Sequence, residues 1–358
     1  MSATATAPDA VDAAPSLNAR RLPLWWPLVG LLLAIVVDII VKTTGVITGT
    51  LSLIILALTI FIVASTGWSM AVEGRRHAVD RTSTIVLWSA FLVAFVPLVS
   101  ILATVVVRGW NAFSVAFLTS TMRNVLPTDT TGGVLAGIVG TIEQVGMAVI
   151  IAVPIAVLTA IYLVEYAPSF KSQRMPKIVS FFVDVMTGVP SIVAGLFVYT
   201  FFVLALGGQR SGFAGSLALT ILMIPVVTRA TEEMLRVVPN TLREGSLALG
   251  IPRWKTIVRI VLPTAAGGIT TGVMLGIARV AGETAPLLLT TFLAQDVNWN
   301  LFSGPQASIP TFIWDQFGSY TTASVDRAWA GALTLILVVA IFYTAARVIA
   351  WLTAPRTR

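Results

Sequence analysis

Four charged residues stand inside or at the edge of otherwise apolar sequence: Arg229, Glu232, Arg279 and Glu283. A charge at mid-bilayer costs about 2.5–3.5 kcal/mol on insertion scales, so its retention needs a reason. A guanidinium holds an oxyanion through two parallel N–H donors, a geometry that a lysine ammonium lacks. Arg279 lies 16 residues past Pro263, some ~24 Å along a continuous helix. Glu283, four residues on, would share its face and lie within pairing reach. Two readings stay open: the pair only neutralises itself, or the glutamate holds an arginine that meets a passing oxyanion. Arg229 and Glu232 form a second such pair, three residues apart at the end of an apolar segment, where charges are also ordinary.

The elements that must carry these residues are membrane helices. At 358 residues, 56% hydrophobic and 11% charged, the composition excludes a soluble globular protein. The expected fold is all-α and polytopic, with about eight transmembrane helices over residues 24–41, 51–72, 84–107, 132–165, 178–206, 213–228, 264–293 and 326–352. Each approaches or exceeds the roughly 20 residues a crossing needs. The fourth contains Pro154 and is long enough to bend, tilt or break. The fifth contains Gly188, Pro190, Ser191 and Gly195, small or helix-breaking residues that admit a close neighbour. Asp38 is expected to snorkel or to pair with Lys42. Residues 1–23 form a tail without apolar periodicity, expected to be disordered, and lack a signal-peptide pattern.

Of the 23 lysines and arginines, 17 gather on one side of this topology: two at the N-terminus, three after the second segment, three after the fourth, six after the sixth and three at the C-terminal end. The bias makes that side cytoplasmic, with both termini on it. It also argues against nucleic acid as the partner of the +7 net charge. With no cysteine and one histidine, His77 in a charged loop, no metal site is expected. A Gly-x-x-x-x-Gly-Lys-Ser/Thr loop is absent, so the chain is not expected to hydrolyse ATP itself. A membrane enzyme would want a nucleophile with a base, or a His-Glu-x-x-His motif. An ion-coupled secondary transporter would typically show paired repeats, and no clear repeat is present. The external stretch 296–320 carries Trp299, Phe302, Phe312 and Trp314, suited equally to a partner surface and to interfacial packing.

Between the sixth and seventh segments the sequence turns water-like but keeps helical periodicity. Leu235, Val238, Leu242, Leu249, Ile257 and Ile260 supply apolar faces among Arg236, Arg243, Arg253, Lys255 and Arg259. Gly250, Ile251 and Pro252 should split it into two helices, the second beginning near Pro252 with Arg253 and Trp254. A short protruding helix with an apolar edge suits a partner's groove. Glu244, Gly250 six residues on, and Ile260-Val261-Leu262-Pro263 match the spacing of the "EAA" loop of binding-protein-dependent ABC importers. The two alanines after the glutamate are here Gly245 and Ser246. Pro225-Val226-Val227-Thr228-Arg229-Ala230-Thr231-Glu232, Gly188-Val189-Pro190-Ser191-Ile192-Val193-Ala194-Gly195 and Arg279-Val280-Ala281-Gly282-Glu283-Thr284-Ala285-Pro286 look like the A-type permease subunits of Pst phosphate importers. The similarity runs from about the third segment to the end.

The resemblance implies a type I importer (MetI-like) core of six helices plus two extra N-terminal helices. Its divisions would be 24–82 for the extra pair, 83–131 for the first core helix and external loop, 132–352 for the core with its coupling loop at 231–263, and a basic tail at 353–358. It implies a permease subunit of an ATP-driven phosphate importer in a bacterial plasma membrane. The partners would be a PstC-type second permease, two copies of a PstB-type ATP-binding subunit, a PstS-type external phosphate-binding protein, and membrane lipid. ATP and Mg would be bound by the partner ATPase, with no cofactor on this chain. Arg229, Glu232, Arg279 and Glu283 would line the substrate path, and the loop helices would couple it to the ATPase. A permease for another oxyanion or an amino acid is the nearest alternative.

Overall fold

A computed structural model describes residues 23, 25–43, 49–167 and 174–353. The expected tails, the turn after the first segment and the first part of the basic loop after the fourth lie largely outside those residues. The described chain is helical throughout. Among the described residues, seven helices are long and apolar enough to cross a membrane, or eight if one bent pair counts as a span.

Two compact units divide the chain, residues 1–102 and 103–358. In the first, α1 (Trp26–Thr43) and α2 (Thr50–Val72) pack side by side, and α3 (Arg75–Gly109) begins. Trp26 stacks on Phe61 at 6.2 Å and Trp25 meets Trp68 edge-on at 6.1 Å. The Arg81 guanidinium lies 4.7 Å over the Trp26 ring and donates to Glu73 at 2.8 Å. Glu73 and Gly74, the latter at φ +84°, make the whole turn between α2 and α3, so the basic stretch expected as a loop is mostly helix. His77 therefore sits exposed on the first turns of α3. Asp38 and Lys42 form no ion pair among the described residues, and one Asp38 carboxylate oxygen is buried without a hydrogen-bond partner.

The second unit is built around α5 (Leu135–Ile161, running on through a π-helical turn, Tyr162–Tyr166) and α8 (Gly212–Val237). Ala148, Ala152, Ala156 and Ala160 recur every fourth residue on α5 and are fully buried. This flat strip lets α8 approach closely, and Leu219, Met223 and Val227 fill the contact. α11 (Leu262–Ala281) packs against the same cluster, where a Cβ on Gly276 would lie 3.0 Å from Val227.

Two expected spans are broken. The fifth is α6 (Arg174–Thr187) and α7 (Ser191–Val198, continuing as a π-helical turn, Tyr199–Ala205), which meet at 107°. Pro190 explains the break, because proline drives the residue before it out of the helical region and cannot donate to the preceding turn. The seventh ends at Ala281, and α12 (Ala285–Thr290) follows after Gly282, Glu283 and Thr284. Pro286 stands four residues beyond Gly282, so its ring would collide with the Gly282 carbonyl in a continuous helix.

At the end away from the basic loops, a short α4 (Val115–Thr119) is capped by Ser114. The stretch 296–320 contains α13 (Ile309–Gly318), whose start is buried and closed by a Ser308–Thr311 capping box. Gln144 of α5 donates to Gln306 at 3.0 Å, and the Thr141 hydroxyl accepts from the Ile309 N–H at 2.9 Å. Trp299, Phe302 and Trp314 remain exposed, while Phe312 is buried against Phe117. The last helix, α14 (Thr322–Thr353), begins early enough to include Arg327. Arg327 is buried, donating to Gln316 at 2.8 Å, to the carbonyls of Pro127 and Thr131 at 3.2 Å each, and to that of Asp129.

Candidate translocation and coupling site

Arg229 sits on the C-terminal half of α8, facing α6. Its Nη1 donates to Glu232 Oε2 at 2.8 Å, and its Nη2 to the Ser180 carbonyl and hydroxyl at 3.0 Å each and to Asp184. Glu232 is buried. Its second oxygen has no hydrogen-bond partner, and Arg236 approaches the first at 3.7 Å. The pairing expected between Arg229 and Glu232 is present, but α6 supplies three of the arginine's four hydrogen bonds. Asp184 and Ser180 are four residues apart on one helical face, which is the signal that could have singled them out.

Arg279 and Glu283 do not pair. The helix ends between them, so the i,i+4 geometry on which the expectation rested does not exist. Arg279 is exposed near the end of α11, and neither side chain makes an ion pair or hydrogen bond among the described residues. The self-neutralising reading of this pair is thereby removed. An apolar helix ends in a guanidinium with its donors open.

The small residues of the fifth segment occupy different positions in the break. Gly188 and Pro190 lie in the turn, Ser191 opens α7, and Gly195 is buried against α12. A Cβ on Gly195 would lie 2.5 Å from the Pro286 Cα, so no larger residue fits. The two breaks therefore touch: α7 rests on the helix that follows Glu283.

Just past the C-terminal end of α8, Pro239 opens α9 (Asn240–Ala248), and Gly250 at φ +72° turns the chain into Ile251 and Pro252. Pro252 caps α10 (Arg253–Thr256), which runs through a π-helical turn (Ile257–Val261, including Ile260) into Leu262 and Pro263 of α11. The expected split into two helices occurs at the expected residues. Buried Ser246 and Thr256 join them through a hydroxyl hydrogen bond of 2.8 Å. Leu247, Leu249 and Trp254 are exposed, Leu249 at 81%, forming an apolar rim beside exposed Glu244.

One ion pair went unforeseen. Arg243 reaches Glu165 in the π-helical turn of α5 with Nη2 at 2.6 Å and Nε at 3.0 Å, and its Nη groups also reach the Leu235 and Val238 carbonyls at 2.7 and 2.6 Å. Both side chains are largely buried. The neighbouring Tyr166 ring lies 5.8 Å beneath Arg253. One π-helical turn thus holds both helices of the loop, consistent with the tendency of such turns to re-aim side chains at functional positions.

The comparisons agree with this architecture. Residues 152–358 match the family described as "Binding-protein-dependent transport system inner membrane component". The chain is 46% identical over 285 residues to phosphate transport system permease protein PstA 1 of Mycobacterium tuberculosis, covering 79% of this chain and 91% of that one. It is 46% identical over 267 residues to PstA of Mycobacterium leprae, covering 74% and 86%. Among solved structures, a bacterial ABC transporter involved in the import of the acidic polysaccharide alginate shares the fold, with a TM-score of 0.51 at 16% identity over 77% of this chain and 98% of that one. The chain belongs to the inner membrane components of binding-protein-dependent transport systems and, within them, to the PstA-type permeases.

Proposed function

We propose that this multi-pass membrane protein is one permease subunit of an ATP-driven importer of inorganic phosphate. It forms half of the translocation path and pairs with a PstC-type subunit. Two PstB-type subunits bind ATP and Mg and receive α9 and α10, and a PstS-type protein delivers phosphate from outside. The membrane is the bacterial plasma membrane and both termini are cytoplasmic. The observation that carries the reading is Arg279, exposed at the end of an apolar helix and without an ion-pair partner among the described residues. An arginine left unneutralised in such a place suits a transient counter-ion, and phosphate oxygens fit its fork. The names of the relatives support phosphate as that ion.

Arg229 and Glu232 serve the same path nearer the cytoplasm. Movement of the α9–α10 plug is passed to α5 through Glu165 and Arg243, and to α11 through Pro263. The test is uptake of radiolabelled phosphate into proteoliposomes holding the complex purified through this chain. Arg279→Gln is expected to abolish uptake while the partner subunits still co-purify. Normal uptake in that variant, or ATPase stimulation by sulfate or molybdate equal to that by phosphate, overturns the reading.

A further inference from the structure

Both Nη groups of Arg229 are occupied, and its two carboxylate partners are not equivalent. Glu232 lies three residues along the same helix with its side chain only 4% exposed, so it moves with Arg229. Separating them would strand a buried charge. Asp184 stands on α6, a different helix, with its side chain 63% exposed. Water rehydrates it readily when it lets go, as for any exposed ion pair.

An anion arriving at Arg229 must therefore exchange with Asp184 and not with Glu232. A carboxylate and a phosphate cannot share the same guanidinium edge without strong mutual repulsion. We infer that Asp184 is the resident counter-anion of Arg229, displaced when the transported oxyanion arrives and displacing it when it leaves. The inference rests on the reading of Arg229 as part of the phosphate path.

The surrounding geometry is suited to such an exchange. Arg229 is 30% exposed, so a small ion in water reaches it. Ser180 and Asp184 lie on one face of α6, so a small roll of that helix withdraws the carboxylate and both Ser180 oxygens from Nη2 together. α6 ends three residues beyond Asp184, at Thr187, where the 107° bend frees it from continuing α7. With Asp184 withdrawn, Glu232 still offsets the arginine, so the visiting anion is held weakly, as conduction requires.

The test is equilibrium binding of radiolabelled inorganic phosphate to the nucleotide-free complex purified through this chain, followed by uptake in proteoliposomes. Asp184→Asn and Asp184→Ala are expected to bind phosphate about fivefold more tightly, the upper range for a solvent-open ion pair, and to turn over more slowly. Asp184→Glu should restore wild-type affinity and turnover. Loss of an ordinary structural tie would not tighten binding. Unchanged or weaker binding in both variants, with binding lost in Arg229→Gln, overturns the inference and leaves Arg229 in the path. Binding unaffected by Arg229→Gln removes the path reading itself, and this inference with it. Failure of both Asp184 variants to assemble would make Asp184 a structural tie and also overturns it.

Discussion

Arg229 and Arg279 are both guanidinium groups in apolar helices, and the structure treats them in opposite ways. Arg229 is gripped by two carboxylates and a serine from two helices. Arg279 has no side-chain partner among the described residues. Arg243 extends the first pattern, with a buried glutamate and two carbonyls around it. Arg243 brings buried neutralising partners within the chain, whereas Arg229 keeps one exposed partner, Asp184, that water or another anion can replace. Arg279 stands at the far end of this series, and there the lack of a partner among the described residues carries the functional information.

Breaking the held side of this comparison should cost most. Glu165→Ala strands Arg243 in a buried position, and a loss of about 3–5 kcal/mol is expected, visible as a lowered melting temperature and failure to retain the ATP-binding subunits. Glu232→Ala should cost less, about 2 kcal/mol, because Arg229 is partly open to water and keeps Asp184 and Ser180. On the open side, Arg279→Gln is expected to shift stability by less than about 0.5 kcal/mol, as for exposed surface changes, while abolishing uptake. A large fall in its melting temperature would place Arg279 with the held arginines. Gly245→Ala probes the coupling helix independently of any charge. A Cβ there meets nothing within 4 Å, so the helix should gain about 1 kcal/mol from propensity alone, read as a raised melting temperature with uptake retained.

The spans, the break at Gly250 and Pro252, and the contact between Arg229 and Glu232 were legible because each depends on neighbours within a few residues. Hydropathy could not see the breaks after Thr187 and Ala281, since apolar composition continues across them while the chain changes direction. Pro286 was a usable sign, four residues beyond Gly282, and reading Arg279 and Glu283 as i,i+4 partners overlooked it. Glu165 and Arg243 are separated by 78 positions, so no local pattern joins them. The partners of Arg327 near residues 127–131 are equally remote in sequence.

The alanine strip of α5 has a mechanical consequence. Four fully buried methyl-sized positions pressed flush against α8 leave little room for the two helices to slide or to be wedged apart. α5 and α8 thus form a stiff beam, and the bends beside it are where the packed chain is interrupted. Those bends lie where α6 meets α7 and where α11 meets α12, which places the joints of the machine at Pro190 and Gly282.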